Sequence, residues 1–262
     1  MSKIHKSVVV LALLSPVCAF ATSAFDGTWK IDMSQVQLSK KPSVVVLQSG
    51  TYDCKSCVPH FMVKADGQDH PITGNPYADA ASVEVVDAHT VKITHKKGGK
   101  VVSTVTSTVA ADGKSAHDEY MDSSNSNSAP VTGSEEWVQV AAGPVGSHAR
   151  SGTWQAGKVT SVSDNAVTWT MKEDGGMLSM TAPTGQSFHA KVDGTEAPFV
   201  GDPGVTSVTV KLTGNTLVES DMRNGKVISV QTSTVSADGK TMKVVSEDKQ
   251  RNRTTTFVAV KQ

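Results

Sequence analysis

Cys54-Lys-Ser-Cys57 is the stretch whose residue types and spacing could make or break bonds. The third cysteine of the chain, Cys18, falls in an N-terminal segment expected to be removed, so these two form an even, close pair. In an exported chain such a pair reads first as a disulfide. Residues three apart in an extended strand stand about 10 Å apart and face opposite ways, whereas a disulfide needs Cα atoms within about 7 Å. A bond therefore requires Lys55-Ser56 to be a turn, and closing so small a loop stabilises by only about 2 kcal/mol. Two other chemistries would use the same sulfurs. A redox dithiol needs a helix N-terminus to lower its thiol pKa, but Pro59 and the β pattern beyond it leave no helix there. A zinc site would take Cys54, Cys57 and His60, with His70 as fourth ligand. The spacing is not that of covalent haem attachment, because Val58 and Pro59 separate Cys57 from His60.

Little else points to catalysis. His60, His70, His89, His95 and His117 are scattered along turns and polar faces of the first half, and His189 stands alone in the second. No histidine pair has the helical spacing of a zinc protease, and the chain has no Gly-x-Ser-x-Gly elbow, phosphate loop or dinucleotide fingerprint. Asp66, Asp112, Asp193 and Asp238 each precede a glycine in a turn. Glu135 and Glu136 are adjacent, so in a strand they face opposite ways. The chain is expected to be no enzyme and to carry no cofactor.

The elements that must position these residues come twice. Gly99 to Lys114, GKVVSTVTSTVAADGK, returns as Gly225 to Lys240, GKVISVQTSTVSADGK, with 12 of 16 positions identical at an offset of 126. Val63 to Pro76 matches Ala190 to Pro203, and Gly27-Thr-Trp29 matches Gly152-Thr-Trp154. Units of about 110 to 120 residues are too long for a solenoid and suit whole domains. The expected organisation is a first repeat over residues 25–140, a Gly- and Pro-containing linker over 141–151, and a second repeat over 152–262.

Each repeat reads as β-structure. In the first, Val101, Val105 and Val109 alternate with Val102, Thr104, Thr106 and Thr108, the pattern of a half-buried antiparallel strand. Gly98-Gly99, Gly175-Gly176 and Asn224-Gly225 supply the φ > 0 residues of tight hairpins. Roughly eight strands per repeat fit this turn spacing, and closing such a meander removes its exposed edges. The expected fold is all-β: two tandem antiparallel meander domains, each a small barrel. A β-sandwich or one combined sheet system are the alternatives.

Gly27-x-Trp29 and Gly152-x-Trp154, each opening a meander, resemble the Gly-x-Trp signature on the first strand of the lipocalins and related calycins. The resemblance implies a tryptophan at the closed end of a barrel, under an arginine from the last strand. Arg251 or Arg253 would serve in the second repeat, and no arginine stands near Trp137 in the first. The mature chain as a whole is similar to exported bacterial proteins of unassigned function that share the Gly-Thr-Trp, Asp-Gly and Ala-Asp-Gly-Lys pattern, a likeness that brings no activity with it. What the barrel resemblance implies is a small apolar ligand, with Trp29, Phe61, Trp154 and Phe188 as candidate binding residues. The alternative is that all four are core residues.

Residues 1–21 have the character of a secretory signal peptide: Lys3 and Lys6, an apolar run from Val8 to Leu14, and Ala19-Phe20-Ala21 as cleavage site, with cleavage after Ala24 as runner-up. The apolar run is too short to span a bilayer, and no later segment reaches that length. Loss of the two lysines leaves 23 basic against 25 acidic side chains, a net charge of −2. That balance offers no footprint for nucleic acid or an anionic membrane. The sequence thus suggests a periplasmic or secreted binding module for a small apolar molecule. A structural protein of the envelope with filled barrels is the alternative, and a metal or redox site at the Cys-x-x-Cys is the second.

Overall fold

β-Branched alternation and paired left-handed turn residues fold most of the described chain into antiparallel ladders. The computed structural model describes residues 23–124 and 129–262; the expected signal peptide lies outside them. Eleven strands precede residue 163: β1 (Gly27–Ile31), β2 (Ser43–Gln48), β3 (Thr51–Cys54), β4 (Phe61–Lys64), β5 (His70–Pro71), β6 (Ala80–Val85), β7 (Thr90–Lys97), β8 (Lys100–Val109), β9 (Ser115–Asp122), β10 (Val131–Ala142) and β11 (Gly152–Val162). Nine follow: β12 (Thr168–Asp174), β13 (Met177–Thr181), β14 (Ser187–Lys191), β15 (Asp193–Val200), β16 (Ser207–Thr213), β17 (Thr216–Arg223), β18 (Lys226–Val235), β19 (Thr241–Asp248) and β20 (Arg253–Lys261). Both central residues of the β7–β8, β12–β13 and β17–β18 hairpins have positive φ: Gly98-Gly99, Gly175-Gly176 and Asn224-Gly225. Their twist matches that of the flanking strands.

The strands form two ten-stranded antiparallel sheets. One is a closed barrel in the order β1-β12-β13-β14-β15-β16-β17-β18-β19-β20, with β1 paired to both β12 and β20. The other runs β4-β3-β2-β11-β10-β9-β8-β7-β6-β5 and is nearly closed. Its gap falls beside the two-residue β5, where Gly67 N–H, in the loop after β4, reaches across to the Val83 carbonyl of β6 at 2.9 Å. The all-β, two-barrel expectation therefore holds, with ten strands in each sheet instead of eight.

The sequence repeats and the sheets do not coincide. β1, which opens the first repeat, belongs to the barrel built by the second; β11, which opens the second, lies between β2 and β10 of the first sheet. The first strands are reciprocally exchanged. Of residues 141–151, expected as a linker between domains, 141 and 142 end β10 and 143–151 are the loop of the β10–β11 hairpin inside one sheet. The connections that cross between sheets are residues 32–42 and 163–167.

Bulges re-aim some side chains. The register between β7 and β8 shifts at His95/Lys96, and Val101 is left exposed on the face opposite Val105 and Val109. The same shift at Asp221/Met222 brings Ile228 of β18 inward. An inserted residue reverses the alternation beyond it.

One end of each sheet is sealed by its Gly-x-Trp strand. Trp29 and Trp154 are fully buried, and each indole N–H donates to the backbone carbonyl four residues earlier: Trp29 to Phe25 at 2.8 Å, Trp154 to Arg150 at 3.0 Å. Phe25 fills the closed barrel as an apolar plug. Arg150 occupies the matching place in the first sheet, its guanidinium carbon 4.9 Å from the Trp154 ring centre and 5.9 Å from that of Trp137. The buried charge is met by Asp118, 3.4 Å away, and by Ser107 Oγ, 2.6 Å from Arg150 Nε. In the second repeat Val244 stands at the position of Asp118. Arg251 and Arg253 do not cover a tryptophan: Arg251 pairs with Asp248, Arg253 donates to Ser43 Oγ, and the cation over Trp29 is Lys261 of β20 at 4.9 Å. No helix among the described residues is long and apolar enough to cross a membrane.

Candidate functional site

The closed barrel is filled at its tryptophan end and hollow beyond it. Leu217, Val235, Met242 and Ala259 pack with Phe25 and Trp29 into one apolar cluster. Farther along the same strands the inward residues become polar: Glu219 and Asp221 on β17, Gln231 and Ser233 on β18. There the interior opens into a cavity of about 520 Å³. Trp169, Met171, Met180, Val244 and Phe257 form its apolar wall, with Trp169 edge-on to Phe257 at a ring separation of 6.4 Å. Glu219, Gln231 and Ser233 form a polar stripe, and Thr184 and Gln186 stand by the β13–β14 turn. Tyr120, Asp122 and Val131 of the first sheet complete the wall, so the two sheets build the site together.

Glu219 and Asp221 are only 8% and 9% exposed, two residues apart on one strand, and so face the same side. Burial, and then the charge of Asp221, push Glu219 well above the usual carboxylate range. Asp221 is also raised, chiefly by burial, although Ser229 Oγ donates to its Oδ2 at 2.5 Å. Its Oδ1 is buried without a hydrogen-bond partner. Among the described residues neither carboxyl is in an ion pair.

The first sheet holds more paired charge, and its spaces are smaller one by one. A void of about 320 Å³ is lined by His95, Ser103, Val105, Asp118, Tyr120 and Glu135, among others. His95 Nδ1 lies 3.1 Å from Ser103 Oγ, and burial holds its pKa below the ordinary histidine value. Burial raises Glu135, with the charge of Asp118 adding to it.

The residues singled out by the sequence sit elsewhere. Cys54 and Cys57 form a disulfide across a Cα separation of 5.4 Å, with Lys55-Ser56 as the required turn. The bond occupies both sulfurs, so the zinc set is not assembled. His60 Nε2 lies 2.7 Å from Asp53, and His70 Nε2 lies 2.8 Å from Asp66. No cluster of three or more candidate metal ligands occurs among the described residues. Trp29, Trp154 and Phe188 are buried core residues, and Phe61 packs against Tyr52 and His95; none of the four lines the cavity of the closed barrel.

The residues that do line it went unnoticed in the sequence, although a signal was present. Glu219 and Asp221 share an alternation face with Leu217, where an inward apolar row is expected. At the offset of 126 their counterparts are Ile93 and His95, and Gln231 replaces Val105 within the otherwise well-matched 16-residue stretch. No family model matches the chain, and no curated protein shows significant similarity to it.

Proposed function

We propose that this is an exported, non-catalytic binding protein whose closed barrel holds a small, largely apolar molecule. The observation that carries this reading is the cavity of about 520 Å³ in a barrel that is otherwise tightly filled. Protein interiors pack to crystal-like density and leave few voids larger than a water. Ligand sites are typically concavities of about 300 to 1,000 Å³ with apolar walls and a few convergent polar groups. The lipocalin-like Gly-x-Trp strands and the signal-like N-terminal segment point the same way.

Native mass spectrometry of the mature protein, taken from the compartment that receives it, tests the reading. A non-covalent adduct of small-molecule mass, released on denaturation and recovered by organic extraction, is the expected result. A bare mass, together with no thermal stabilisation by any member of an apolar small-molecule panel, would leave the barrels a purely structural role in the envelope.

A further inference from the structure

We propose that the molecule held in the closed barrel carries a protonated amine at one end of an apolar body, with the ammonium against Glu219 and the hydroxyl of Ser233. The inference rests on the binding reading above and specifies its ligand.

The two sheets treat buried charge differently. In the first, Asp118 is 5% exposed and the chain supplies its cation, Arg150. Ser107 is used up between them, donating to Asp118 Oδ1 at 2.5 Å and accepting from Arg150 Nε. In the closed barrel the place of Arg150 is taken by Phe25, and the counterpart of Ser107 is Ser233. Ser233 is 8% exposed, faces the cavity, and makes no side-chain hydrogen bond among the described residues. Glu219 lines the same cavity one diagonal step away, since Leu217 pairs with Ser233 and Glu219 with Gln231. Behind it Asp221 keeps one oxygen unpartnered. Besides Glu219, the charged group acting on Asp221 is Asp202, another carboxylate.

A buried carboxyl pair without a cation is costly. An ammonium against Glu219 supplies the countercharge that the cavity wall, which also carries Asp122 and no lysine or arginine among the described residues, does not. The fold does not require these acids, because the first sheet is built on Ile93 and His95 at the equivalent positions. The rest of the wall, Trp169, Met171, Met180 and Phe257, suits an aromatic or aliphatic body. It also offers aromatic faces to a cation.

Isothermal titration of the full mature chain with 4-phenylbutylamine, 4-phenylbutanol and 4-phenylbutyrate compares three heads on one body. The amine is expected to bind at least about ten-fold more tightly than the alcohol, and the carboxylate more weakly than either. Glu219→Gln should bring the amine to the level of the alcohol. Alcohol binding equal to or tighter than amine binding overturns the amine and leaves the cavity reading standing. Failure of all three to bind overturns the amine, and the cavity reading is then decided by the native mass measurement. Should Glu219→Gln not fold, the comparison of heads on the unaltered chain still decides.

Discussion

The clearest test of how these interiors are built is to transplant one plug into the other. In the first sheet the plug is Arg150 with Asp118; at the matching positions the closed barrel has Phe25 and Val244. The side chains of Arg150 and Asp118 are 11% and 7% exposed, so removing either partner strands a charge in a nearly dry interior. Arg150→Phe leaves Asp118 with only the Ser107 hydroxyl, and breaking a buried pair in this way costs about 3–5 kcal/mol. Asp118→Val strands the guanidinium, whose Nη1 already lacks a partner, at a similar cost. The double change reproduces the apolar plug and should fall within about 2 kcal/mol of the parent, because apolar replacement of a buried pair is often neutral or stabilising. The expected coupling is about 3 kcal/mol or more.

Urea unfolding followed by tryptophan fluorescence gives the overall cost, and native-state hydrogen exchange of β8 to β11 assigns it to the first sheet. Single variants losing less than about 1 kcal/mol, or a double variant as unstable as the worse single, would refute the reasoning. Either result would mean that water reaches Asp118 or that the stacking of Arg150 on Trp154 carries the stability.

Other perturbations have equally definite outcomes. Glu219 binds protons more readily folded than unfolded, so its contribution is present at low pH and is lost as pH rises from the ordinary carboxylate range through its raised folded value. Glu219→Gln should therefore flatten the decline of the urea midpoint as pH rises above the ordinary carboxylate range, and an unchanged slope would count against the buried carboxyl. Replacing Cys54 and Cys57 by serine should cost about 2 kcal/mol, measured as the difference between oxidised parent and variant; a loss above about 4 kcal/mol would mean the bond does more than close a small loop. Expressed alone, residues 40–164 should give a cooperative β-sheet unfolding transition, whereas residues 23–142 should not, because the second fragment lacks β11 from the middle of its sheet. Cooperative folding of residues 23–142 would contradict the exchange of first strands.

What the sequence revealed follows from what repeats and alternation encode. The 126-residue offset, the β-branched runs and the Gly-Gly and Asn-Gly turns are local, and the structure uses them as read, apart from the bulge that turns Val101 outward. Sheet membership is not local. β1 and β11 share Gly-Thr-Trp and the same plugging hydrogen bond, so either strand fits either sheet by its own side chains. Glycine and proline in residues 143–151 punctuate a hairpin as well as they would a domain boundary. Consecutive strands usually pair, and that tendency, applied to β10 and β11, points to the arrangement observed. The cavity was hidden for another reason. A void is the difference between what strands enclose and what side chains fill, and only the two aligned repeats, with Gln231 against Val105 and Glu219 against Ile93, carried a trace of it.

The exchange also bears on how the site is held. Because each sheet contains one strand from the other repeat, two chain segments cross between them, and separating the sheets would mean extracting β1 or β11 from the middle of a ladder. Side chains add to this at the junction: Arg253 donates to Ser43, Lys41 to the Arg251 carbonyl, and Tyr77 to Asp202. The first sheet can then serve the second as a fixed wall, presenting Tyr120, Asp122 and Val131 to a cavity it does not itself enclose. A duplicated barrel with no exchange could have tuned each interior separately. Here the interiors have diverged, one neutralising its buried acid with its own arginine and the other leaving Glu219 facing the cavity with no cation among the described residues, while the strand exchange keeps both in one frame.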